Sequence, residues 1–224
     1  MKSPLDVIIG NGRRLVIFDC DGVLIESWDS TMAFYNRILA GLGLGPMTPE
    51  DETYVFASSI PEGLARLVPP DLRPAAEGIL KTVKVEDFLS LIRIKPGVPE
   101  FLDHLRKSGR KTAVCTNGGA EARPILEALG LLWYFEIVVT AADVERPKPH
   151  PEGVLRILET VGAAPREAVY IGDSEQDRLA AQAAGVDFIA YGAPRLAADV
   201  HLDDFGSLLE SSSAPRPLSK NCRR

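Results

Sequence analysis

The feature that most constrains this fold is an alternation of short apolar runs with helical patterns along the chain. The runs are rich in β-branched residues and end in small or polar residues, and they cover Leu15–Asp19, Lys111–Thr116, Ile137–Thr140, Ala168–Asp173 and Val186–Ala190. Helical patterns follow at Val98–Ser108, Glu121–Gly130, Pro151–Gly162 and Gln176–Gly185. Strands that alternate with helices predict an α/β fold with a Rossmann-like parallel sheet, covered by helices on both faces.

The alternation is interrupted between Trp28 and Arg93, where no strand pattern is convincing. Helices are predicted in this stretch near Asp29–Ala40, Ile60–Leu67, Leu72–Thr82 and Val85–Ile92, separated by prolines. We therefore expect a discontinuous α/β core formed by residues 1–26 and 94–210, with an inserted all-helical cap at residues 27–93.

The two connections of this insert lie near Ile25–Ser27 and Ile94–Gly97, and they are candidate hinges for a mobile cap. A fixed helical crossover fits the same pattern. The polar, proline-containing and locally basic segment 211–224 is predicted to be disordered.

Charge and composition exclude several classes of protein. The net charge of −6 disfavours a nucleic-acid or anionic-membrane partner, since such binding needs a basic face. No apolar run reaches the roughly 18 residues of a transmembrane helix, and the apolar patch Val7–Ile9 is too short for a signal-peptide core. Three cysteines, Cys20, Cys115 and Cys222, form no disulfide framework, which favours a reducing, cytoplasmic setting. The sequence assigns no oligomeric state.

Polar residues collect where the predicted strands end. They are Asp19, Asp21, Thr116, Asn117, Lys148, Asp173 and Asp177. Ligands of parallel α/β sheets bind at the carboxyl ends of the strands, so these residues are expected to form one site.

This mixture of groups has a chemical logic. Crowded carboxylates need a cation, and oxygen ligands without a histidine or cysteine cluster indicate Mg²⁺. A hydroxyl, glycine-loop amides and a lysine suit a phosphoryl group. A metal, a phosphate site and a spare carboxylate predict phosphoryl transfer with an aspartate as nucleophile.

Each motif alone has a simpler interpretation. Asp21-Gly22 is a common turn dipeptide, and Ser174 with Asp177 fits a helix capping box. Lys148 between two prolines is typical of an exposed loop. The functional interpretation depends on the order of all the motifs and on their shared position at strand ends.

As a set, the motifs resemble the haloacid dehalogenase superfamily, and more closely its phosphoglycolate phosphatase-like phosphatases. They are Asp19-Cys20-Asp21-Gly22-Val23-Leu24, Thr116-Asn117, Arg146-Pro147-Lys148-Pro149, and Gly172-Asp173-Ser174 with Asp177. The resemblance runs from about residue 13 to residue 210. It implies a type 1 helical cap after the first motif and a small phosphorylated metabolite as substrate.

The resemblance also implies catalytic roles. Asp19 is expected to attack phosphorus and form an aspartyl-phosphate, and Asp21 to protonate the leaving oxygen and then activate water. Thr116 and Lys148 are expected to complete the catalytic set, with Lys148 offsetting the negative charge.

Binding roles follow from the same resemblance. The expected metal residues are Asp19, Asp21 through its backbone carbonyl, Asp173 and Asp177, holding Mg²⁺. The expected substrate-binding residues are Cys20, Gly22, Thr116, Asn117 and Lys148. The cap is expected to select the leaving group, with Trp28, Tyr35 and Asn36 as candidates, although the aromatic residues fit cap packing equally well.

Two alternative functions remain open at this stage. A sugar phosphomutase resembling β-phosphoglucomutase would typically carry a histidine after the first motif, but His104, His150 and His201 all lie outside the insert. A catalytically silent phosphate-binding regulator would keep the fold without turnover. Dehalogenases lack an acid at position 21, because a halide needs no proton, so Asp21 favours phosphate chemistry.

Overall fold

A sheet of six parallel strands forms the centre of the computed structural model, which describes residues 7, 8, 10, 12–198, 200–206 and 208. Eight strands are described: β1 (Leu15–Phe18), β2 (Ile25–Glu26), β3 (Arg93–Ile94), β4 (Lys111–Cys115), β5 (Ile137–Val139), β6 (Ala168–Gly172), β7 (Asp187–Tyr191) and β8 (Val200–Leu202). The sheet order is β5-β4-β1-β6-β7-β8, and every neighbouring pair is parallel. The predicted α/β fold with a Rossmann-like parallel sheet is confirmed.

Helices cover both faces of the sheet, and β1 shows how. Four helices pack on the sheet: α5 (Val98–Lys107), α6 (Ala122–Ala128), α7 (Glu152–Val161) and α8 (Glu175–Ala183). The four helices that precede them in the chain are described below. Phe18 lies edge-on to Phe101 of α5, whereas Ile17 belongs to the opposite apolar cluster with Ile157 of α7. Alternate residues of β1 are therefore buried on opposite faces, as its continuous apolar sequence predicts.

The strand register positions the site. Phe18 pairs with Val114 of β4 and with Ile171 of β6. The chain consequently leaves β1 at Asp19 between the ends of its two neighbours, and the Asp19 amide donates to the carbonyl of Ile171 (2.9 Å).

The insert contains α1 (Trp28–Gly41), α2 (Pro49–Ala57), α3 (Ile60–Leu67) and α4 (Arg73–Leu80). Three of these were predicted, but α2 was not, because Pro49 looks like a helix breaker. Pro49 instead occupies the first turn, where its missing N–H has no cost, and the Thr48 hydroxyl accepts from the Asp51 amide (3.2 Å).

Two further differences correct the predictions. The helix predicted at Val85–Ile92 is wrong, since two short 3-10 helices, Val85–Asp87 and Leu89–Leu91, meet at Phe88 with φ of −119°. The edge strand β8 was not predicted, because three residues are too few to show an alternating pattern.

The two connections of the insert lie side by side. Strands β2 and β3 pair in an antiparallel ladder that joins Ile25 to Ile94 and Glu26 to Arg93. The ammonium of Lys95 reaches across to a Glu26 carboxylate oxygen (2.8 Å). The predicted hinges coincide with this ladder, while their mobility and the domain limits at 26/27 and 93/94 stay predictions.

Some expectations fall on parts of the chain that the structure leaves aside. Segment 211–224, which is predicted to be disordered, and Cys222 within it lie outside the described residues. Cys20 and Cys115 are described as free, buried thiols. Among the helices that the structure describes, none combines the length and the apolar character that crossing a membrane requires.

Candidate active site

Most of the polar residues predicted at strand ends lie around one cavity of about 420 Å³. The predicted residues that line it are Asp19, Cys20, Asp21, Thr116, Asn117, Lys148 and Asp173. Gly22 lies beside it and lines a neighbouring pocket together with Asp173. Asp177 is fully enclosed behind the cavity floor.

A buried ion-pair network forms the floor of this cavity. The exposed fractions of Asp19, Lys148 and Asp177 are only 7%, 6% and 0%. The Lys148 ammonium donates to Asp19 Oδ1 (2.8 Å) and to Asp177 Oδ1 (2.6 Å). Such burial is tolerable because each charge has an opposite partner and hydrogen bonds.

The hydroxyl of Tyr170 extends this network, and sequence reasoning missed it. It lies 2.9 Å from Asp177 Oδ1 and 2.8 Å from the Cys115 carbonyl oxygen, either of which accepts its proton. It also lies 3.3 Å from the Lys148 ammonium. Tyr170 belongs to the apolar run of β6, and the only signal was that a buried tyrosine needs a polar partner.

Asp177 acts as a support for its neighbours in this arrangement. Its Oδ1 accepts from Lys148 and lies within hydrogen-bond distance of Tyr170. Its Oδ2 accepts from the amide (3.1 Å) and the hydroxyl (2.6 Å) of Ser174, which caps α8. Both oxygens are therefore engaged, and Asp177 fixes the position of Lys148.

Three carboxylates at this floor place oxygen atoms within 4.8 Å of one another, namely those of Asp19, Asp173 and Asp177. Burial, followed by the charge of Asp177, raises the pKa of Asp173 to about 7. The same two causes raise the pKa of Asp19 well above its usual range, against the opposing effect of Lys148. A cation would relieve this repulsion, and the oxygen-only donor set suits a hard divalent ion.

Lys148 keeps its charge despite its burial. Burial alone lowers the pKa of an ammonium, but the carboxylates of Asp177 and Asp19 more than compensate and raise it well above its usual value. The site thus holds a fixed cation at its floor.

Asp21 projects into the cavity next to Asp19. The Ser27 hydroxyl donates to its Oδ1, a contact that sequence reasoning missed. Burial raises the pKa of Asp21, while the hydrogen bond from Ser27 opposes this shift. A carboxyl group with a raised pKa can hold a proton closer to neutral pH, which suits a proton donor.

Gly22 allows the turn that carries Asp21 to approach Asp173. Its φ of +79° lies in the left-handed region, and a Cβ atom at this position would lie 2.0 Å from Asp173 Oδ2. Any side chain at position 22 would therefore strain the turn and displace this carboxylate.

The Asn117 side chain anchors the Lys148 backbone from the neighbouring strand end. Its Oδ1 accepts from the Lys148 amide (2.9 Å), and its Nδ2 donates to the Lys148 carbonyl (3.0 Å) and to Gln176 Oε1 (2.7 Å). Thr116 beside it is buried, and its Oγ1 accepts from the Gly118 amide (2.9 Å). The role of Gln176 was not predicted.

Side chains of the insert form the opposite wall of the cavity. Of the residues suggested for substrate selection, Trp28 and Tyr35 line it, whereas Asn36 does not. Glu121, at the start of α6, lines it from the sheet side and was also missed. The cavity therefore lies between the strand ends and the helical insert.

The chain is similar to a known protein family, to curated proteins and to solved structures. The pattern described as haloacid dehalogenase-like hydrolase matches residues 16–191. Over 210 residues, the chain is 32% identical to the phosphoglycolate phosphatase of Agrobacterium fabrum, covering 87% of this chain and 90% of that protein.

Two solved structures are similar along nearly the whole chain. A HAD-superfamily hydrolase of subfamily IA, variant 1, from Geobacter sulfurreducens gives a TM-score of 0.73 at 36% identity, covering 90% of this chain and 97% of that one. CbbY from Rhodobacter sphaeroides, solved in complex with phosphate, gives a TM-score of 0.72 at 23% identity, covering 88% of this chain and 96% of that one. The second likeness concerns the fold alone.

Proposed function

Because the chain belongs to the haloacid dehalogenase-like hydrolase family and is a phosphoric monoester hydrolase, we propose that it acts on a small phosphomonoester through an aspartyl-phosphate. The observation that carries the proposal is the contact of the buried Asp19 carboxylate with the Lys148 ammonium (2.8 Å) on the cavity floor. Asp21 and Asp173 lie beside it on the same cavity.

Mg²⁺ is the proposed cofactor, and the donor chemistry fits it. Asp19 and Asp173 would hold the ion together with the backbone carbonyl of Asp21, while Asp177, with both oxygens engaged, would support the site from behind. When bound, Mg²⁺ supplies positive charge that neutralises the phosphoryl oxygens and keeps the neighbouring carboxylates ionised.

The first step forms the covalent intermediate. Cys20 N (2.7 Å) and the Lys148 ammonium (2.8 Å) both donate to Asp19 Oδ1, which orients Oδ2 for attack on phosphorus. As the new bond between Asp19 and phosphorus forms, the ester bond breaks and Asp21 gives its proton to the leaving alcohol oxygen. Thr116 and the Asn117 amide would bind the phosphoryl oxygens.

The second step regenerates the enzyme. Asp21, now a carboxylate, takes a proton from water, and the water oxygen attacks phosphorus. The bond between phosphorus and Asp19 breaks, so inorganic phosphate leaves and Asp19 returns to its carboxylate form. Lys148 stays charged throughout and offsets the negative charge of the transferred group.

The insert, residues 27–93, would act as a cap over this chemistry. Its helices form the wall opposite the catalytic floor, and the paired strands β2 and β3 form its connection. Closure at this connection would exclude bulk water during the first step, and opening would release the product.

The test is release of inorganic phosphate from a panel of small phosphomonoesters, with Mg²⁺ and with EDTA. Phosphoglycolate, the substrate in the names of the relatives, belongs in the panel. We expect Mg²⁺-dependent release that Asp19→Asn abolishes and that the exposed control Asp29→Asn leaves intact. Tight phosphate binding with no release would favour a silent regulator, and a rearranged sugar that keeps its phosphate would favour a mutase.

A further inference from the structure

The cavity wall formed by the insert is mainly apolar, although serine, threonine and lysine side chains also line it. We call it the leaving-group wall and define it by Phe34, Val55, Phe56, Ile60, Val83 and Phe88. Trp28 lies at its edge with its ring 4.9 Å from that of Phe56. A phosphoryl group bound to Lys148 on the floor would direct the rest of a substrate toward this wall.

The cavity is also larger than a short leaving group requires. Its volume of about 420 Å³ lies within the range of pockets that enclose drug-sized ligands, about 300–1,000 Å³. The glycolate part of phosphoglycolate is a short carboxylate, so it would leave most of the leaving-group wall without a contact.

Positive charge is scarce where a substrate carboxylate would lie. Of the cationic side chains that the structure describes in the insert, only the exposed Lys84 lines the cavity. Arg37 and Arg66 form ion pairs with acids of the insert, and Arg73 donates to backbone carbonyls. None of these three arginines lines the cavity.

Negative charge is already present between the floor and the wall. The Glu121 carboxylate lines the cavity and accepts from the Gly119 amide (2.6 Å). The charge of Glu121 also reaches the insert, since it is the second cause, after burial, that raises the pKa of Tyr35. A second carboxylate brought into this space would meet repulsion and lose its hydration.

We propose that the preferred substrate is a phosphomonoester whose leaving alcohol is uncharged and apolar, with a body larger than glycolate. The leaving-group wall would bind this body, and Glu121 would act as the specificity-determining residue against carboxylate-bearing esters such as phosphoglycolate. This inference rests on the proposed phosphatase function and narrows its substrate class.

The direct test compares kcat/KM for phosphoglycolate with that for methyl, ethyl, butyl and hexyl phosphate, all in Mg²⁺. Alkyl esters are chosen because an aryl leaving group would raise the rate through its own acidity. Each methylene bound in an apolar pocket typically changes kcat/KM by about 10- to 200-fold. We expect kcat/KM to rise at least about tenfold from methyl to butyl phosphate, and butyl phosphate to exceed phosphoglycolate by at least about tenfold.

Glu121→Gln tests the charge by itself. Glutamine keeps an acceptor for the Gly119 amide, so the variant removes the charge with little change in shape. We expect the ratio of kcat/KM for phosphoglycolate to that for butyl phosphate to rise roughly tenfold. Glu127→Gln, an exposed change on the same helix, is the matched control and should leave this ratio unchanged. An unchanged ratio in Glu121→Gln would overturn the role of Glu121.

The outcomes separate this inference from the function on which it rests. Efficient release from phosphoglycolate with no gain along the alkyl series would overturn the apolar substrate class and leave the phosphatase function standing. No release from any ester, by folded protein in Mg²⁺, would overturn the proposed function and this inference with it. The alkyl series uses the unaltered protein, so it decides the matter even if a variant fails to fold.

Discussion

The carboxyl end of the sheet lines the cavity with charged and polar side chains, whereas the helical insert lines the same cavity mainly with apolar ones. At the sheet end, the charged groups of Lys148, Asp19 and Asp177 are buried and bonded to one another. In the insert, charged groups pair near the surface, as Arg37 does with Asp87, while apolar side chains face the cavity. From this difference we infer that the reaction depends on residues of the sheet end, whereas substrate choice depends on the apolar wall of the insert together with Glu121 on the sheet side.

The largest expected effect lies at the sheet end. Asp21→Asn keeps the shape of the side chain but removes the proton transfer, so we expect kcat to fall by about 10²- to 10⁴-fold. The measurement is steady-state phosphate release, with the exposed insert change Asp71→Asn as control. Nearly full activity in Asp21→Asn would contradict Asp21 as the proton donor, because another group would then have to protonate the leaving oxygen.

A second change compares a buried lysine with an exposed one. Lys148→Met leaves Asp19 and Asp177 without their cation, and we expect the free energy of unfolding to fall by about 3–5 kcal/mol in EDTA. Lys95→Met, which removes a partly exposed pair with Glu26, should cost less than about 1 kcal/mol. Urea unfolding measures both.

The pH dependence of the Lys148→Met variant sharpens this prediction. Because burial raises the pKa of Asp19 in the folded state, the folded variant binds protons more tightly than the unfolded chain. Its stability should therefore fall as the pH rises from acidic to neutral. Equal losses for Lys148→Met and Lys95→Met at neutral pH would contradict the buried network.

The network also shows what the sequence can and cannot predict. Asp19, Thr116 and Asp173 each follow an apolar run directly, so their meeting at one sheet edge follows from the parallel topology. Tyr170 and Glu121 carry no such signal. Their roles depend on which elements pack beside them, and that information is not local in the sequence.

The insert was harder to predict for the same physical reason. Three of its helices have only eight or nine residues. The side that faces the cavity and the side that packs within the insert are both largely apolar, so periodicity does not tell the two apart. The helix Pro49–Ala57 was missed although Thr48 caps it, and Val85–Ile92 has 3-10 turns in place of the predicted helix. The composition of the cavity wall is therefore visible only in the structure.

A moderate effect is expected from a packing change within the insert. A Cβ atom at Gly63 would lie 2.3 Å from the Tyr35 hydroxyl oxygen and 2.8 Å from the ring carbon that bears it. Gly63→Ala should lower stability by about 1–3 kcal/mol, as overpacking does, and change substrate preference more than it changes the chemistry. Adding Tyr35→Phe should recover part of the lost stability, because it removes the hydroxyl oxygen. The recovery should be incomplete, because the ring carbon that carried the hydroxyl stays close to the new methyl group. Full stability in Gly63→Ala would contradict this packing, and urea unfolding measures it.

The smallest effect serves as a reference for the insert. Gly78 is exposed within α4, and a Cβ atom there would have no described atom within 4 Å apart from its chain neighbours and the backbone of its own helix. Gly78→Ala should raise the free energy of unfolding by about 0.4–1 kcal/mol, because alanine restricts the unfolded chain and favours the helix. Activity should not change. A loss of stability would show that α4 is packed differently.

The most direct test of Asp19 as the nucleophile asks where phosphate becomes attached to the protein. In Asp21→Asn, an aryl phosphate can still transfer its phosphoryl group, because its leaving group needs no proton, whereas the water step lacks its base. Acid quenching and mass spectrometry should then find phosphate on the peptide that contains Asp19, and none in the Asp19→Asn/Asp21→Asn double variant. Phosphate release with no protein-bound phosphate, or phosphate on another residue, would contradict Asp19 as the nucleophile.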